Sequence, residues 1–146
     1  MKSLVTGGAG FIGSHLVTSL LDLGHDVYVL DNFSTGRQQN LNHLENHSRL
    51  VVHEVDIGSG IDFSRLFSNV DHVYHLAALA DIVPSIENPV SYHRSNVEGT
   101  FQVLRASVLC EVKRFVYIAS SSCYGIADII PTPESADVKP MYPYAL

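Results

Sequence analysis

Three glycines, Gly7, Gly10 and Gly13, are spaced by three residues near the start of the chain. In this spacing the first glycine permits a tight turn, the second lets the backbone approach a pyrophosphate, and the third permits close helix packing. A helix that starts there directs free N–H groups and its positive dipole end towards an anion. The spacing therefore predicts a dinucleotide site. Gly8 and Gly13 also fit the glycine frame of a P-loop, but Ser14 stands where that loop needs lysine, which disfavours a nucleoside triphosphate site.

Asp31 ends a β-rich run, 18 residues after Gly13. A carboxylate at this distance can accept hydrogen bonds from both hydroxyls of an adenosine ribose, and it repels a 2′-phosphate. Arg37 lies near enough in the sequence to complicate that preference, and the alternative for Asp31 is an acid at a strand end that faces water. We therefore expect NAD, and not NADP, as the cofactor.

The eight histidines do not follow the pattern of a metal site. His72 and His75 are three residues apart on a predicted strand, so their side chains point to opposite faces of the sheet. His43 and His47 have helical i, i+4 spacing, but no third ligand is evident. We expect packed or solvated histidines and no metal.

Short β-rich runs alternate with helical patterns along the chain. The first helix is predicted from apolar residues at Ile12, Leu16, Leu20 and Leu23, and Gly24 stands where it would end. The alternation predicts an α/β fold, a Rossmann-like doubly wound parallel sheet with ligands bound beyond the carboxyl ends of the strands. The predicted strands are residues 3–6, 27–30, 50–55, 73–76 and 115–119.

A long helix is predicted to start at Asn88, as the N-cap, with Pro89 in the first helical position. Apolar residues recur along it at intervals of seven or four, at Val90, Val97, Leu104 and Val108. Four prolines between residues 126 and 143 predict an extended surface loop there.

The chain has 146 residues, 46% of them apolar, and a formal net charge of −6. This length and composition predict one packed domain over residues 1–146. The negative charge opposes binding to nucleic acid or to an anionic membrane. Residues 3–21 carry no formal charge, but glycines interrupt them, so we predict no signal or membrane segment. Cys110 and Cys123 are too few for a disulfide framework and lack zinc-site spacing, which favours a reducing cytoplasm.

Five segments together resemble the extended short-chain dehydrogenase/reductases, and within them the NAD-dependent nucleotide-sugar epimerases of the UDP-glucose 4-epimerase type. They are residues 6–14, 31–36, 75–78, 96–100 and 120–125. The resemblance covers the whole chain, with its motifs in the family's order. It implies a UDP-sugar or other nucleotide-sugar substrate and a homodimer.

The resemblance also implies a set of cofactor-binding residues. Asp56 and Ile57 would bracket the adenine, and Asn96 would order the central helix beside the site. Ala80 departs from relatives that place a cofactor-contacting lysine there. The implied cofactor-binding residues are Gly7, Gly10, Phe11, Ile12, Gly13, Asp31, Asn32, Ser34, Gly36, Asp56, Ile57, Leu76, Ala77, Ala78 and Asn96.

For catalysis the resemblance implies Ser120 and Tyr144. Tyr144 would take a proton from a sugar hydroxyl as hydride passes to NAD, Ser120 would hold the oxygen, and hydride return to the other face of the keto sugar would invert the centre. Tyrosine has a pKa near 10, so it needs a nearby positive charge to act as a base at neutral pH. The family's lysine would be residue 148, and the sequence stops at 146. We therefore expect a Rossmann domain truncated before the substrate domain, with no epimerase activity of its own.

Two alternatives stay open at this point. A noncatalytic NAD-binding sensor or docking module would also explain the cofactor motifs without the lysine. A sugar-nucleotide dehydratase or decarboxylase is the other, but those relatives place an acid just after the catalytic Ser or Thr. Ser121 and Ser122 offer none here.

Overall fold

The computed structural model describes residues 1–145, so Leu146, the last residue of the predicted domain, lies outside the described residues. A single five-stranded sheet runs through the described part of the chain, and each pair of neighbouring strands is parallel. The strands are β1 (Lys2–Thr6), β2 (Asp26–Asp31), β3 (Leu50–Glu54), β4 (His72–His75) and β5 (Arg114–Tyr117). All five coincide within one or two residues with the predicted runs.

The strand order is β3-β2-β1-β4-β5. The chain moves outwards from β1 through β2 to β3 and then returns to the other side of β1 for β4 and β5. Thr6, at the carboxyl end of β1, is the register partner of Leu30 on one side and of His75 on the other. The order therefore reverses beside Thr6, which creates the crevice where doubly wound sheets bind ligands. The predicted fold class is confirmed.

Helix α1 (Phe11–Asp22) follows β1, and the chain leaves it through Gly24 at a φ of +84°. Glycine suits this position because a left-handed residue commonly ends a helix. A short helix, α2 (Ile82–Glu87), and a longer helical run follow β4. The run consists of α3 (Pro89–Tyr92), a π-helical turn (His93–Glu98) and α4 (Gly99–Leu109). Asn88 caps it as predicted, since its Oδ1 accepts from the N–H of Ser91 at 3.3 Å.

The connections on either side of β3 contain short 3₁₀ helices at Gln38–Leu44 and Ser64–Phe67. Two more such turns lie at Ser121–Tyr124 and Pro143–Ala145, and no helix or strand of the described chain lies between them. The predicted extended loop over residues 126–143 is therefore confirmed except for its last residue, which starts the second of these turns. None of the helices in residues 1–145 has both the length and the apolar character needed to cross a membrane.

Two apolar clusters cover the faces of the sheet. Successive residues of β1 divide between them because strand side chains alternate in direction: Leu4 joins Phe67, Val73 and Val103 on one face, whereas Val5 joins the cluster on the other. The second cluster draws its remaining members mainly from α1 and β2. They include Val17, Leu20, Leu21, Val27 and Val29.

The predicted apolar stripe of the long helix faces outwards. Its members, Val90, Val97, Leu104 and Val108, are all exposed. The buried residues of α4 are Gly99, Val103, Ala106 and Ser107. Small residues on this inner face let the helix pack closely against the sheet, which leaves the larger apolar side chains on the surface.

Candidate functional site

The glycine turn after β1 brings the chain against the end of β4. Gly7 has a φ of +69°, a conformation that favours glycine. A methyl group on Gly7 would lie 2.7 Å from the backbone nitrogen of Ala77. Gly13 is equally confined, because a methyl group there would collide with the Gly7 carbonyl oxygen and lie 2.8 Å from Cα of Gly8. The turn can therefore close only with these two glycines.

The amino end of α1 opens towards the crevice. Gly10 is its N-cap and has no side chain to accept the first N–H groups of the helix, and the first turn contains no acidic residue. Phe11 and Ile12 are largely exposed there. The helix end thus offers backbone donors and a positive dipole end, which is the arrangement that binds a phosphate group.

Asp31 fixes the two loops that border this helix end. Its Oδ2 accepts from the N–H of Ala9 and its Oδ1 from the N–H of Phe33, both at 2.9 Å. The residue is only 7% exposed. Gly36 lies against the carboxylate, since a methyl group there would be 2.8 Å from Oδ1. Each carboxylate oxygen has a second lone pair, so these bonds leave acceptor capacity for a ribose hydroxyl.

A cavity of about 310 Å³ lies beyond the carboxyl ends of β1 to β4. The structure brings together on its wall every predicted cofactor-binding residue except Asn96. These are Gly7, Gly10, Phe11, Ile12, Gly13, Asp31, Asn32, Ser34, Gly36, Asp56, Ile57, Leu76, Ala77 and Ala78. The cavity has the backbone donors, the acid and the apolar walls that a dinucleotide requires.

Other lining residues were not predicted. Most directly adjoin the predicted ones at the strand ends, so their position after a strand could have identified them. Ser95 lies on the π-helical turn and had no sequence signal. The additional lining residues are Leu30, Thr35, Val55, Leu79, Ser95 and Ile118.

Asn96 lies on the π-helical turn beside a second cavity. Its Oδ1 accepts from the N–H of Leu79 and its Nδ2 donates to the carbonyl of Leu79, each at 2.9 Å. This paired contact ties the loop after β4 to the central helix.

His75 connects the same helix to β1, a contact that no sequence pattern indicated. The Thr100 hydroxyl donates to the carbonyl of Asn96 at 2.6 Å, so it must accept from Nε2 of His75 at 2.9 Å. The Thr6 hydroxyl accepts from the N–H groups of Leu76 and Ala77, both at 3.2 Å, and donates to Nδ1 of His75 at 2.6 Å. The network therefore contains a neutral imidazole protonated at Nε2.

Burial holds His75 in that form. The side chain is 2% exposed, and desolvation lowers its pKa to about 4. His72 is partly exposed and lies on the opposite face of β4, as predicted. Within residues 1–145, no group of three or more His, Cys, Asp or Glu side chains is placed to hold a metal ion.

The second cavity, of about 510 Å³, contains the two predicted catalytic residues, Ser120 and Tyr144. It adjoins the first, because Leu76, Ala77, Ala78 and Ile118 line both. The Ser120 hydroxyl donates to the hydroxyl of Ser122 at 3.1 Å. The structure thus places the predicted catalytic pair beside the cavity formed by the predicted cofactor residues.

Tyr144 is held by α2 and α3, which sequence reasoning did not connect with it. Its N–H donates to Oγ of Ser85 at 3.3 Å, and its ring meets that of Tyr92 edge-on, with the centroids 6.4 Å apart. Ser85 and Tyr92 are both buried. Neither residue type is diagnostic of such a role, so the contact could be found only in three dimensions.

A family model described as the NAD dependent epimerase/dehydratase family matches residues 3–146. Among curated proteins, a UDP-glucose 4-epimerase of Mycolicibacterium smegmatis is 38% identical over 148 residues, which cover 99% of this chain and 47% of that protein.

Solved structures give the same result. A UDP-N-acetylglucosamine 4-epimerase from Methanobrevibacter ruminantium, in complex with UDP-N-acetylmuramic acid, is 35% identical with a TM-score of 0.92, over 99% of this chain and 46% of that one. A UDP-glucose 4-epimerase from Brucella ovis, in complex with NAD, is 33% identical with a TM-score of 0.88, over 99% of this chain and 43% of that one. The chain spans less than half the length of these relatives.

Proposed function

Because the chain belongs to the NAD-dependent epimerase/dehydratase family, we propose that it is the amino-terminal, NAD-binding portion of a nucleotide-sugar epimerase. One observation carries the proposal. The cavity lined by the predicted cofactor residues adjoins the cavity that contains Ser120 and Tyr144. A cofactor in the first cavity and a sugar in the second would share the wall formed by residues 76–78, as transfer between them requires.

The residues of the first cavity fit NAD, the cofactor of this family. The amino end of α1 would bind the pyrophosphate, Asp31 would accept from the adenosine ribose, and Asp56 and Ile57 would border the adenine. Leu76, with Ala77 and Ala78 beside it, would form the apolar wall next to the second cavity. Bound NAD supplies a reversible hydride acceptor, which allows a sugar carbon to be oxidised and then reduced.

In the second cavity Tyr144 would take the proton of a sugar hydroxyl, and the Ser120 hydroxyl would donate to the oxygen of the resulting keto sugar. Rotation of the Ser120 hydroxyl away from Ser122 would make its hydrogen available. Within residues 1–145 no lysine or arginine lines this cavity. The positive charge that Tyr144 needs would come from the lysine that the family resemblance implies at position 148.

A nucleotide sugar is the proposed substrate. The relatives named above are epimerases of UDP-sugars, and one was solved with a UDP-sugar bound. Inversion follows if the keto sugar presents its opposite face when hydride returns. Ser121 and Ser122 provide no acid next to Ser120, which supports epimerisation over elimination.

The outer face of the long helix supports a homodimer. The exposed stripe described above continues at Phe101, which is 58% exposed. An apolar surface of this kind marks an interaction site. We also propose a cytoplasmic location, because Cys110 and Cys123 are both free thiols.

The test measures binding and turnover separately. Calorimetry of the chain with NAD tests the cofactor site directly. Turnover is assayed with UDP-glucose and UDP-galactose, using the chain itself and a chimera in which residues 3–146 replace the matching part of the M. smegmatis relative, which serves as the active control. Activity of the chimera that disappears with Ser120→Ala or Tyr144→Phe supports the epimerase. NAD binding by the chain with an inactive chimera would favour the noncatalytic module.

A further inference from the structure

The loop after β3 forms the far wall of the NAD cavity. Val55 continues from the strand, and Asp56 and Ile57 line the cavity. The loop turns sharply, because Oδ1 of Asp56 accepts from the N–H of Gly58 at 2.9 Å and its carbonyl accepts from the N–H of Ser59 at 3.1 Å. Any shift of this loop would move two residues that face the ligand.

The loop rests directly on the π-helical turn. A methyl group on Gly58 would lie 2.7 Å from the carbonyl oxygen of Arg94, so only glycine permits this approach. On the other side, a methyl group on Gly99 would lie 2.8 Å from Cγ1 of Ile57. The Arg94 carbonyl accepts the N–H of Gly99, the i to i+5 bond that defines the π-turn. The loop therefore contacts the π-turn at two places, through the Gly58 backbone at Arg94 and through the Ile57 side chain at Gly99.

The Arg94 side chain adds a hydrogen bond to this contact. Its Nε donates to the carbonyl of Gly58 at 2.7 Å, across 36 residues of sequence. No carboxylate within residues 1–145 forms an ion pair with Arg94, so the guanidinium contacts the loop by hydrogen bonding. The bond joins the loop to the helix independently of the strands.

We propose that Arg94 is a positioning residue for the adenine of NAD, acting through Gly58 to hold Asp56 and Ile57 at the cavity wall. The proposal rests on the function proposed above, in which these two residues border the adenine. A carboxylate accepts from the exocyclic amino group of adenine and repels the carbonyl of hypoxanthine. Correct placement of Asp56 should therefore favour NAD over its hypoxanthine analogue.

Two substitutions separate the hydrogen bond from the charge. In Arg94→Gln the amide nitrogen stands as many bonds from Cα as Nε does, so the donor to Gly58 is retained and the charge is lost. Arg94→Met has a similar length and no donor. Arg114→Met is the matched control, because Arg114 starts β5 at the amino edge of the sheet, opposite the cavity. Urea unfolding of all four proteins reports any loss of stability.

Calorimetry measures the Kd of each protein for NAD and for nicotinamide hypoxanthine dinucleotide. Arg94→Met should weaken NAD binding about five- to tenfold, as expected for one hydrogen bond, and weaken binding of the analogue much less. Arg94→Gln and Arg114→Met should resemble the unmodified chain. Equal losses for both ligands, or no loss for NAD, would overturn the role of Arg94. Equal affinity of the unmodified chain for both ligands would instead overturn the assignment of adenine to this loop.

Discussion

The Oγ1 atom of Thr6 lies 2.6 Å from Nδ1 of His75, and both side chains are buried. The two residues are register partners on β1 and β4, next to the reversal in strand order. The Thr6 hydroxyl, which donates to the imidazole, also accepts hydrogen bonds from the N–H groups of Leu76 and Ala77. One side-chain contact thus holds the glycine turn and the loop after β4 in a fixed relation.

Protonation of His75 is expected to destabilise the fold. Burial lowers its pKa from 6.5 to about 4, so the unfolded chain binds the proton more tightly. The free energy of unfolding is therefore highest above pH 6.5. It decreases as the pH falls towards 4, in total by about 3 kcal/mol at about 1.4 kcal/mol per pH unit. Urea unfolding between pH 7 and 4 should show this decrease, and His75→Gln, which keeps a donor for Thr100, should show a smaller one. Parallel pH profiles for the two proteins would contradict the prediction.

Asp31 is expected to select NAD over NADP, because its carboxylate would repel a 2′-phosphate. Asp31→Asn should narrow the ratio of the two Kd values measured by calorimetry. It should also lower the free energy of unfolding, since the amide nitrogen would face a backbone N–H at either Ala9 or Phe33. Asp26→Asn, at the other end of β2, is the control. Equal or tighter binding of NADP by the unmodified chain would refute the role of Asp31.

Gly13 and Gly10 should have separable roles. Gly13→Ala is expected to lower the free energy of unfolding by about 1–3 kcal/mol or more, because its methyl group has no space beside Gly7 and Gly8. At Gly10 the φ is −72° and a methyl group would lie 3.2 Å from the Gly7 carbonyl oxygen, a tight contact that a small shift would relieve. Gly10→Ala should therefore lower the free energy of unfolding less than Gly13→Ala. It should still weaken NAD binding by obstructing the pyrophosphate. Urea unfolding and calorimetry test the split, and similar unfolding curves for both variants would argue against it.

The chain is expected to associate with itself through the outer face of the long helix. Light scattering at tens of micromolar, an illustrative concentration for an exposed apolar patch, should give a mass above that of a monomer. Phe101→Asp should reduce this mass, because it places a charge in the apolar face. Ile126→Asp, which changes an even more exposed apolar residue in the surface loop, should leave the mass unchanged. A clean monomer for the unmodified chain would count against the interface.

The sequence predicted the fold where local chemistry determines structure. The spacing of Gly7, Gly10 and Gly13 identified the turn between β1 and α1, and the Asn88-Pro89 pair located the start of the long helix. Those signals arise within a few residues of the structure that they specify. The glycine spacing and the position of Asp31 at a strand end predicted one part of the cavity wall, whereas Asp56, Ile57 and residues 76–78 were implied by the family resemblance.

Other features depend on partners far apart in the sequence. Thr6 and His75 are 69 residues apart, and Arg94 meets Gly58 across 36. The hydrogen bond from the N–H of Ala9 to Asp31 joins residues 22 apart. It stabilises the glycine turn, which the position of Asp31 at a strand end did not indicate. The outward orientation of the Val90 to Val108 stripe was hidden because heptad spacing does not say which face meets the sheet.

The π-helical turn also changes the angular phase of the long helix. A π-turn contains about one residue more than an α-turn, and each residue of an α-helix advances about 100° around the axis. Tyr92 and Gly99, seven residues apart, would face nearly the same way in a regular helix, but here one meets Tyr144 and the other meets Ile57. Deletion of a single residue within His93–Glu98 would therefore rotate the two halves relative to each other. The helix could then no longer contact Tyr144 beside one cavity and Ile57 beside the other at the same time.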